Sequence, residues 1–366
     1  MMSAADGGGA ASRYTVDEML RQSDALADDL RNLHDRARGQ AGRVAQEWVG
    51  VSHVYLTGNG DSYHAALATE MAFQTLAGVR CQALSALRLL EYGAPWDRPP
   101  ALPNGTAVIG ISASGGNERV LQVLERASRH SARTLAITST AESPLARAAE
   151  HALVTPLPGL RPCPGIRTYQ ASLLALLSIA VELGHRRGLR SVGASDGELL
   201  AVAEAIEATV AAVRPRCEGL AARVANAPVM VMLGTGPGYG SARFAAAKVV
   251  EAAGQYAAGQ DLEEWEHVET LAHPSDMPTI VIAAPGRSRD RAVAVAARAR
   301  ARGRAVVAVA DAEDRDMAAH ADVVLPLCGV IREEFSPLVS HVFGGVLSYE
   351  ITRRLGRSPF STHKMP

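Results

Sequence analysis

The sequence predicts an α/β protein made of two tandem units, each a parallel sheet with helices on both faces. Short apolar runs rich in β-branched residues alternate with helical segments, the pattern of parallel strands joined by crossover helices. The pattern also runs twice. The run His53–Thr57 leads into Gly58-Asn-Gly60, and Val229–Leu233 leads into Gly234-Thr-Gly236. Matched on these glycines, an Ala-rich helix follows each and reaches a glycine at the same spacing, Gly78 and Gly254. At 366 residues the chain also exceeds the usual size of one core.

Taken in order, residues 1–13 read as a disordered lead. Helical periodicity at Val16, Met19, Leu20, Ala25, Leu26, Leu30 and Leu33 places two helices within 15–49. In the first unit, apolar runs at 106–111, 133–138 and 151–154 alternate with helical segments at 116–130 and 143–149. Long helical stretches follow at 168–188 and 196–226. The run from Ala171 to Leu183, interrupted by Ser178 and Glu182, reads as a buried helix too short to span a bilayer. In the second unit, apolar runs recur at 279–284, 305–310 and 322–325, and a last helix covers 339–355. The expected boundaries are a lead and helices over 1–50, a first unit over 51–195, connecting helices over 196–227 and a second unit over 228–366.

The formal net charge is -1, which argues against nucleic acid as a partner because phosphate contacts need a basic footprint. Small polyanions remain compatible. Hydrophobic content of 48% with 20% charged residues is a soluble globular balance, and no membrane partner is expected. Cys81, Cys163, Cys217 and Cys328 are scattered, without metal-ligand spacing or a disulfide framework. No metal is expected, and reduced thiols point to the cytoplasm. Met1–Tyr14 lacks the apolar core of a signal peptide.

Of thirty-seven Lys plus Arg, only two are lysines, Lys248 and Lys364. Arg keeps its proton at any working pH, whereas a partly desolvated Lys can lose it and act as a nucleophile or proton donor. Lys248 lies in Phe244-Ala-Ala-Ala-Lys248-Val-Val-Glu251-Ala-Ala-Gly254, with His267 sixteen residues beyond Glu251. A Lys and a Glu three apart are either a solvated surface pair worth a few tenths of a kcal/mol or a partnered pair in a polar cavity. The small, apolar surroundings favour a helix that is mostly buried.

The run at 106–111 ends in Ser112-Ala113-Ser114-Gly115-Gly116-Asn117 just before a helix, whereas its counterpart is Ala283-Ala-Pro-Gly286, without those hydroxyls. Such a loop offers N–H groups and hydroxyls to an anion; it is equally the start of a capped helix. A dinucleotide reading fails because Tyr63 and Tyr239 stand where GxGxxG needs its third glycine. No cofactor is expected.

These residues together resemble the tandem sugar-isomerase (SIS) domain family, most closely the isomerase half of glucosamine-6-phosphate synthase, over most of residues 20–366. Gly60-Asp-Ser62-Tyr-His-Ala and Ser112-Ala113-Ser114-Gly115 look like its phosphate-site motifs. Gly165-Ile-Arg-Thr168-Tyr-Gln170-Ala is similar to its Gly-Val-Ala-Ser-Thr-Lys-Ala segment. Lys248-Val-Val-Glu251 with His267, and Pro359-Phe-Ser-Thr-His-Lys364, resemble its catalytic segments. Asn117 stands where the family has threonine, Gln170 where it has lysine, and Val268-Glu269 where it has Gly-Pro.

The resemblance implies flavodoxin-like three-layer α/β/α domains and a sugar phosphate as ligand. The implied phosphate-binding set is Gly60, Ser62, Ser112, Ala113, Ser114, Asn117 and Thr168. It implies that Glu251 shuttles a proton between C1 and C2, that Lys364 forms an imine with the ketose, that His267 helps open the ring, and that Lys248 offsets charge on the enediolate. It further implies a homodimer whose sites share His267 across the interface, and Leu262, Trp265 and Val268 read as apolar anchors for that interface. The acidic stretch Glu263–Glu269 reads either as a solvated face or as a partner for an amine or metal.

Synthases of this family carry a glutaminase domain, and about fifty residues precede the first strand here. The expectation is therefore no release of ammonia from glutamine by this chain, which leaves room for a separate ammonia-supplying protein. The expected activity is isomerisation of an amino-sugar or ketose phosphate coupled to deamination or amination. A plain aldose–ketose isomerase and a sugar-phosphate sensor without turnover are the alternatives.

Overall fold

The computed structural model describes residues 14–93, 96, 105–189, 195–272, 274 and 277–360. The lead at 1–13 and Lys364 lie outside them. The chain opens with α1 (Val16–Asp24) and α2 (Leu26–Glu47). The first unit then runs β1 (His53–Gly58), α3 (Asp61–Thr75), β2 (Arg80–Ser85), α4 (Ala86–Arg88), β3 (Thr106–Ile111), α5 (Glu118–Arg129), β4 (Arg133–Thr138), α6 (Pro144–Ala148), β5 (His151–Val154) and α7 (Arg167–Arg186). A single helix, α8 (Ser195–Val224), leads to the second unit and runs through Pro215, where the sequence suggested more than one helix. That unit comprises β6 (Met230–Gly234), α9 (Pro237–Ala253), β7 (Ala257–Asp261), α10 (Leu262–His267), β8 (Thr279–Ala283), α11 (Arg289–Ala301), β9 (Val306–Asp311), α12 (Arg315–Ala319), β10 (Val323–Leu327), α13 (Pro337–Ser340) and α14 (Val342–Arg354).

The strands form two five-stranded parallel sheets, ordered β2-β1-β3-β4-β5 and β10-β9-β8-β6-β7. In each, the first strand pairs on one side with the second and on the other with the third. The winding direction therefore reverses between β1 and β3 and between β6 and β8, where open α/β sheets leave a crevice at the carboxyl ends of their strands.

Side-chain alternation sets the layers. Val54, Leu56, Ile109 and Ile111 face a large inner core, while Tyr55 and Val108 face a separate outer cluster over α5. In the second sheet Met230, Met232, Ile280 and Ile282 face that same inner core, and Val231, Leu233 and Val281 face an outer cluster beneath α11. The two repeats thus share one continuous core of helices sandwiched between the sheets. Helix α7 lies within it and is buried on nearly every face, in keeping with the apolar run at 171–183.

The strands β2 and β7 are absent from the apolar-run reading. Both are edge strands: β2 alternates exposed and buried positions, and β7 (Ala-Ala-Gly-Gln-Asp) has no fully buried residue. A strand paired on one side does not need the continuous apolar run of a central parallel strand. Helix α11 was legible but unread, since Ala292, Val295, Ala296 and Ala299 repeat at helical spacing on its buried face.

Candidate active site

The crevice of the first unit is built from two loops. Gly60, with φ 54° and ψ -128°, turns the chain from β1 into α3. After β3, Gly115 takes φ 64° in a place where a Cβ would run into Ser143 and Thr138. The second loop is stiffened from within: Gly115 N–H donates to Ser112 O (2.9 Å), Thr138 Oγ1 to Ala113 O (3.1 Å) and Gly116 N–H to Ser114 Oγ (3.3 Å). Asn117 caps α5 by accepting from Val120 N–H at 3.2 Å, and the same oxygen accepts from Asn59 Nδ2 at 3.1 Å. The capped-helix reading of this loop is met and does not exclude an anion cradle, because the cap uses the oxygen of Asn117 and not its amide hydrogens.

Helix α9 of the second unit forms the opposite wall. It crosses α3 so closely that a Cβ on Gly240 would stand 2.5 Å from Ala68. Asp61 is seven residues before Ala68 and Lys248 eight after Gly240, so the helices run antiparallel and these two side chains meet. Lys248 Nζ donates to Asp61 Oδ2 at 2.6 Å and to Glu251 Oε2 at 2.6 Å. The Lys248 side chain is fully buried, whereas those of Asp61 and Glu251 stay 22% and 30% exposed, so the ammonium is screened from solvent by two partly exposed acids. Phe244 adds a ring face 5.0 Å from the ammonium.

Burying an ammonium costs several kcal/mol unless partners compensate. Burial works against the Lys248 charge, but Asp61 and Glu251 more than offset it, and the amine is held above its usual range. Lys248 is thus held as a cation between the two acids rather than as a free amine. Burial also pushes the Asp61 carboxyl up, yet Lys248 and His64 bring it below the usual range. Glu251 ends above the usual range, raised by burial and by Asp61 against the pull of Lys248.

Around this trio, a Cβ on Gly165 would lie 2.7 Å from Thr168 Oγ1 and 3.1 Å from Asp61 Oδ2, which brings Thr168 to the same corner. His64 Nδ1 stands 3.8 Å from Asp61 Oδ1. Tyr169 stacks on Phe244 at 3.9 Å, and His341 packs edge-on against both rings. Gln170 is a buried strut: Nε2 donates to Leu26 O at 2.6 Å, and Oε1 accepts from His341 Nε2 at 3.0 Å. Burial keeps His341 neutral, its pKa pushed down to about 3.

Thr168, Lys248 and Glu251 thus gather around Asp61, which is flanked by Gly60 and Ser62, and the Asn59–Asn117 bond ties the loop after β3 to the loop after β1. His267 does not join them within one chain. It is exposed on α10 and paired with Glu263 at 3.0 Å. Lys364 lies outside the described residues; at the last described residue, the N–H of Phe360 donates to Glu251 O at 2.7 Å.

Leu262 and Trp265, expected as interface anchors, are instead buried in the core of the second unit, and only Val268 and the neighbouring Leu271 stay exposed. The acidic stretch resolves as a salt-bridged face. Glu266 takes a bidentate pair from Arg298 at 2.7 and 2.6 Å, and Glu263 pairs with Arg291 as well as His267. The residue to which the sequence assigned no role, and which the fold sets against Lys248, is Asp61. Its only signal was an acid at the start of a buried helix.

The second repeat supplies an internal control. With Gly58 set on Gly234, Lys248 corresponds to Ala72, Glu251 to Thr75 and Asp61 to Pro237. A cavity of about 420 Å³ remains there between α3 and the loops of the second unit. The chain's own Glu333 occupies the β8–α11 loop, accepting from Arg287 N–H at 3.1 Å.

Residues 50–181 and 224–338 match the family described as the SIS domain. Among curated proteins, the glutamine–fructose-6-phosphate aminotransferase (isomerizing) of Gloeobacter violaceus is 25% identical over 350 residues, covering 94% of this chain and 56% of that protein. The chain spans about half the length of the curated relatives it matches. The solved C-terminal domain of glucosamine-fructose-6-phosphate aminotransferase from Francisella tularensis superimposes with TM-score 0.83 at 17% identity, covering 96% of this chain and 99% of that one. Glucosamine-6-phosphate deaminase from Thermotoga maritima (TM-score 0.68, 18% identity, 96% and 98% covered) and tagatose-6-phosphate ketose/aldose isomerase from Escherichia coli (0.73, 18%, 98% and 99%) share the fold.

Proposed function

This chain belongs to the SIS-domain family, whose fold and sugar-phosphate isomerase character it shares, and from that premise we propose that it acts on an amino-sugar or ketose phosphate, coupling aldose–ketose isomerisation to loss or gain of ammonia. The observation that carries the reading is the buried Lys248 held between two partly exposed carboxylates, with the Thr168 hydroxyl at the same corner. The phosphate sits on Ser62, Ser112, Ser114, Asn117 and Thr168, where hydroxyls and the N-terminus of α5 meet an anion. Glu251, shifted towards neutrality by burial, moves the proton between neighbouring carbons. Lys248 opposes the negative charge that develops on the enediolate. Lys364 as imine-forming amine and His267 as ring-opening acid from a partner subunit complete the proposal, on the likeness of their motifs. Glu333, a carboxylate already seated on the corresponding loop, supports binding of phosphate in the first repeat only.

The proteins named as an aminotransferase and a deaminase favour amino-sugar chemistry, and the one named as a ketose/aldose isomerase is consistent with plain isomerisation through the same base. Glucosamine 6-phosphate, fructose 6-phosphate with ammonium, and tagatose 6-phosphate, assayed for ammonia and for isomerisation, separate these. Glu251→Gln is expected to leave sugar-phosphate affinity within a few-fold and to lower turnover by roughly 10² or more. A loss below about tenfold would make Glu251 a structural partner of Lys248 and end this reading.

A further inference from the structure

We infer that Asp61 is a positioning residue for proton transfer: reaching across from the first repeat, it takes one side of the Lys248 ammonium and so leaves Glu251 able to exchange a proton. This rests on the reading of Glu251 as the base. A carboxylate paired alone with a buried ammonium is held as a permanent anion and makes a poor base. Here two carboxylates share one ammonium at equal distances of 2.6 Å. Each faces the other as a like charge, but Asp61 also has His64 Nδ1 3.8 Å from its second oxygen, whereas Glu251 has no such neighbour among the described residues. Neighbouring carboxyls driven apart in this way divide into a fixed anion and a proton carrier.

The internal repeat argues that the acid is not required by the fold. Position 61 corresponds to Pro237, and both helices start from a glycine in nearly the same conformation, φ 54° and ψ -128° at Gly60 against φ 52° and ψ -131° at Gly236. Asp61 belongs to the first repeat and Lys248 and Glu251 to the second, and each is replaced at the matching position of the other repeat, by Pro237, Ala72 and Thr75. Other titratable groups face the trio from each neighbouring element. They are His64 on α3, Cys163 ahead of α7, Tyr169 on α7, and His341 between α13 and α14, with Arg243 of α9 beyond His64 and Glu18 of α1 beyond Cys163. Burial pushes the Cys163 thiol up to about 12 and His341 down to about 3, which removes both as sources of an acidic limb between about pH 5 and 8.

The test compares pH profiles of kcat/KM with glucosamine 6-phosphate and fructose 6-phosphate for wild type, Asp61→Asn and Asp61→Glu. Removing the like charge should move the acidic limb of Asp61→Asn to lower pH and reduce its plateau by up to about tenfold. Asp61→Glu should return the limb towards wild type. A rate loss with an unmoved limb would make Asp61 merely structural. If Asp61→Asn fails to fold, ¹³C NMR titration of the wild-type carboxyls decides, because Glu251 must titrate at higher pH than Asp61, and the reverse order overturns the inference. Glu251→Gln judges the base assignment separately, since an active Glu251→Gln enzyme would remove the base while the order of titration still reports on Asp61.

Discussion

At the scale of the residue, the site depends on groups held where they would not otherwise rest. Glu251 must be deprotonated to act as base, and burial places its pKa above the ordinary carboxylate range. Activity should therefore fall as pH drops through that raised value, at a higher pH than an exposed glutamate would give. Gly115 shows the same dependence in the backbone. It has φ 64°, and a Cβ there would come 2.9 Å from Thr138 Oγ1 and closer still to Ser143. Gly115→Ala should destabilise the protein by about 1–3 kcal/mol and raise KM for the sugar phosphate more than it lowers kcat. Thermal unfolding and steady-state kinetics read the two effects, and an unchanged KM would remove this loop from phosphate binding.

At the scale of the element, the antiparallel crossing of α3 and α9 brings the two repeats into one site. Gly240 sets the closeness of that crossing against Ala68, and the Asp61–Lys248 bond lies two turns away. Gly240→Val should push the helices apart, cost about 1–3 kcal/mol and lower turnover through the loosened trio. Stability lost without any change in kcat would separate the crossing from the chemistry. At the far end of α3, Thr75 Oγ1 donates to Glu334 at 2.9 Å, so the helix is pinned to the second unit at both ends.

At the scale of the molecule, one helical core shared by both sheets makes the repeats a single packed body, yet His267 stands apart from Glu251 within it. We propose that a second copy supplies it, the exposed Val268 and Leu271 beside His267 lying on the contacting face. A two-fold contact would complete two sites at once. Mixing inactive Glu251→Gln with inactive His267→Ala protein under conditions of subunit exchange should yield heterodimers with one intact site, and activity near half of wild type per heterodimer. A mixture that stays inactive despite proven exchange, or a fully active monomer, would overturn the shared site.

The sequence by itself determined the class of fold, the internal repeat and most of the first crevice. Period-2 and period-3.6 patterns are local, and so are the glycines and hydroxyls of the loops after β1 and β3. The unusual status of Lys248 was legible for the same reason: a lone lysine in an Ala-rich buried helix contradicts its own neighbourhood. Only the tertiary structure decided what met Lys248. Asp61 lies 187 residues away in the other repeat, and its approach depends on the angle and closeness of one helix crossing. Burial, too, was settled non-locally. Leu262 and Trp265 looked like surface anchors beside acids, but arginines of α11 neutralise those acids and the two side chains turn inward to the core. Pairing of charges across elements, unlike periodicity along one, leaves no local pattern in the chain.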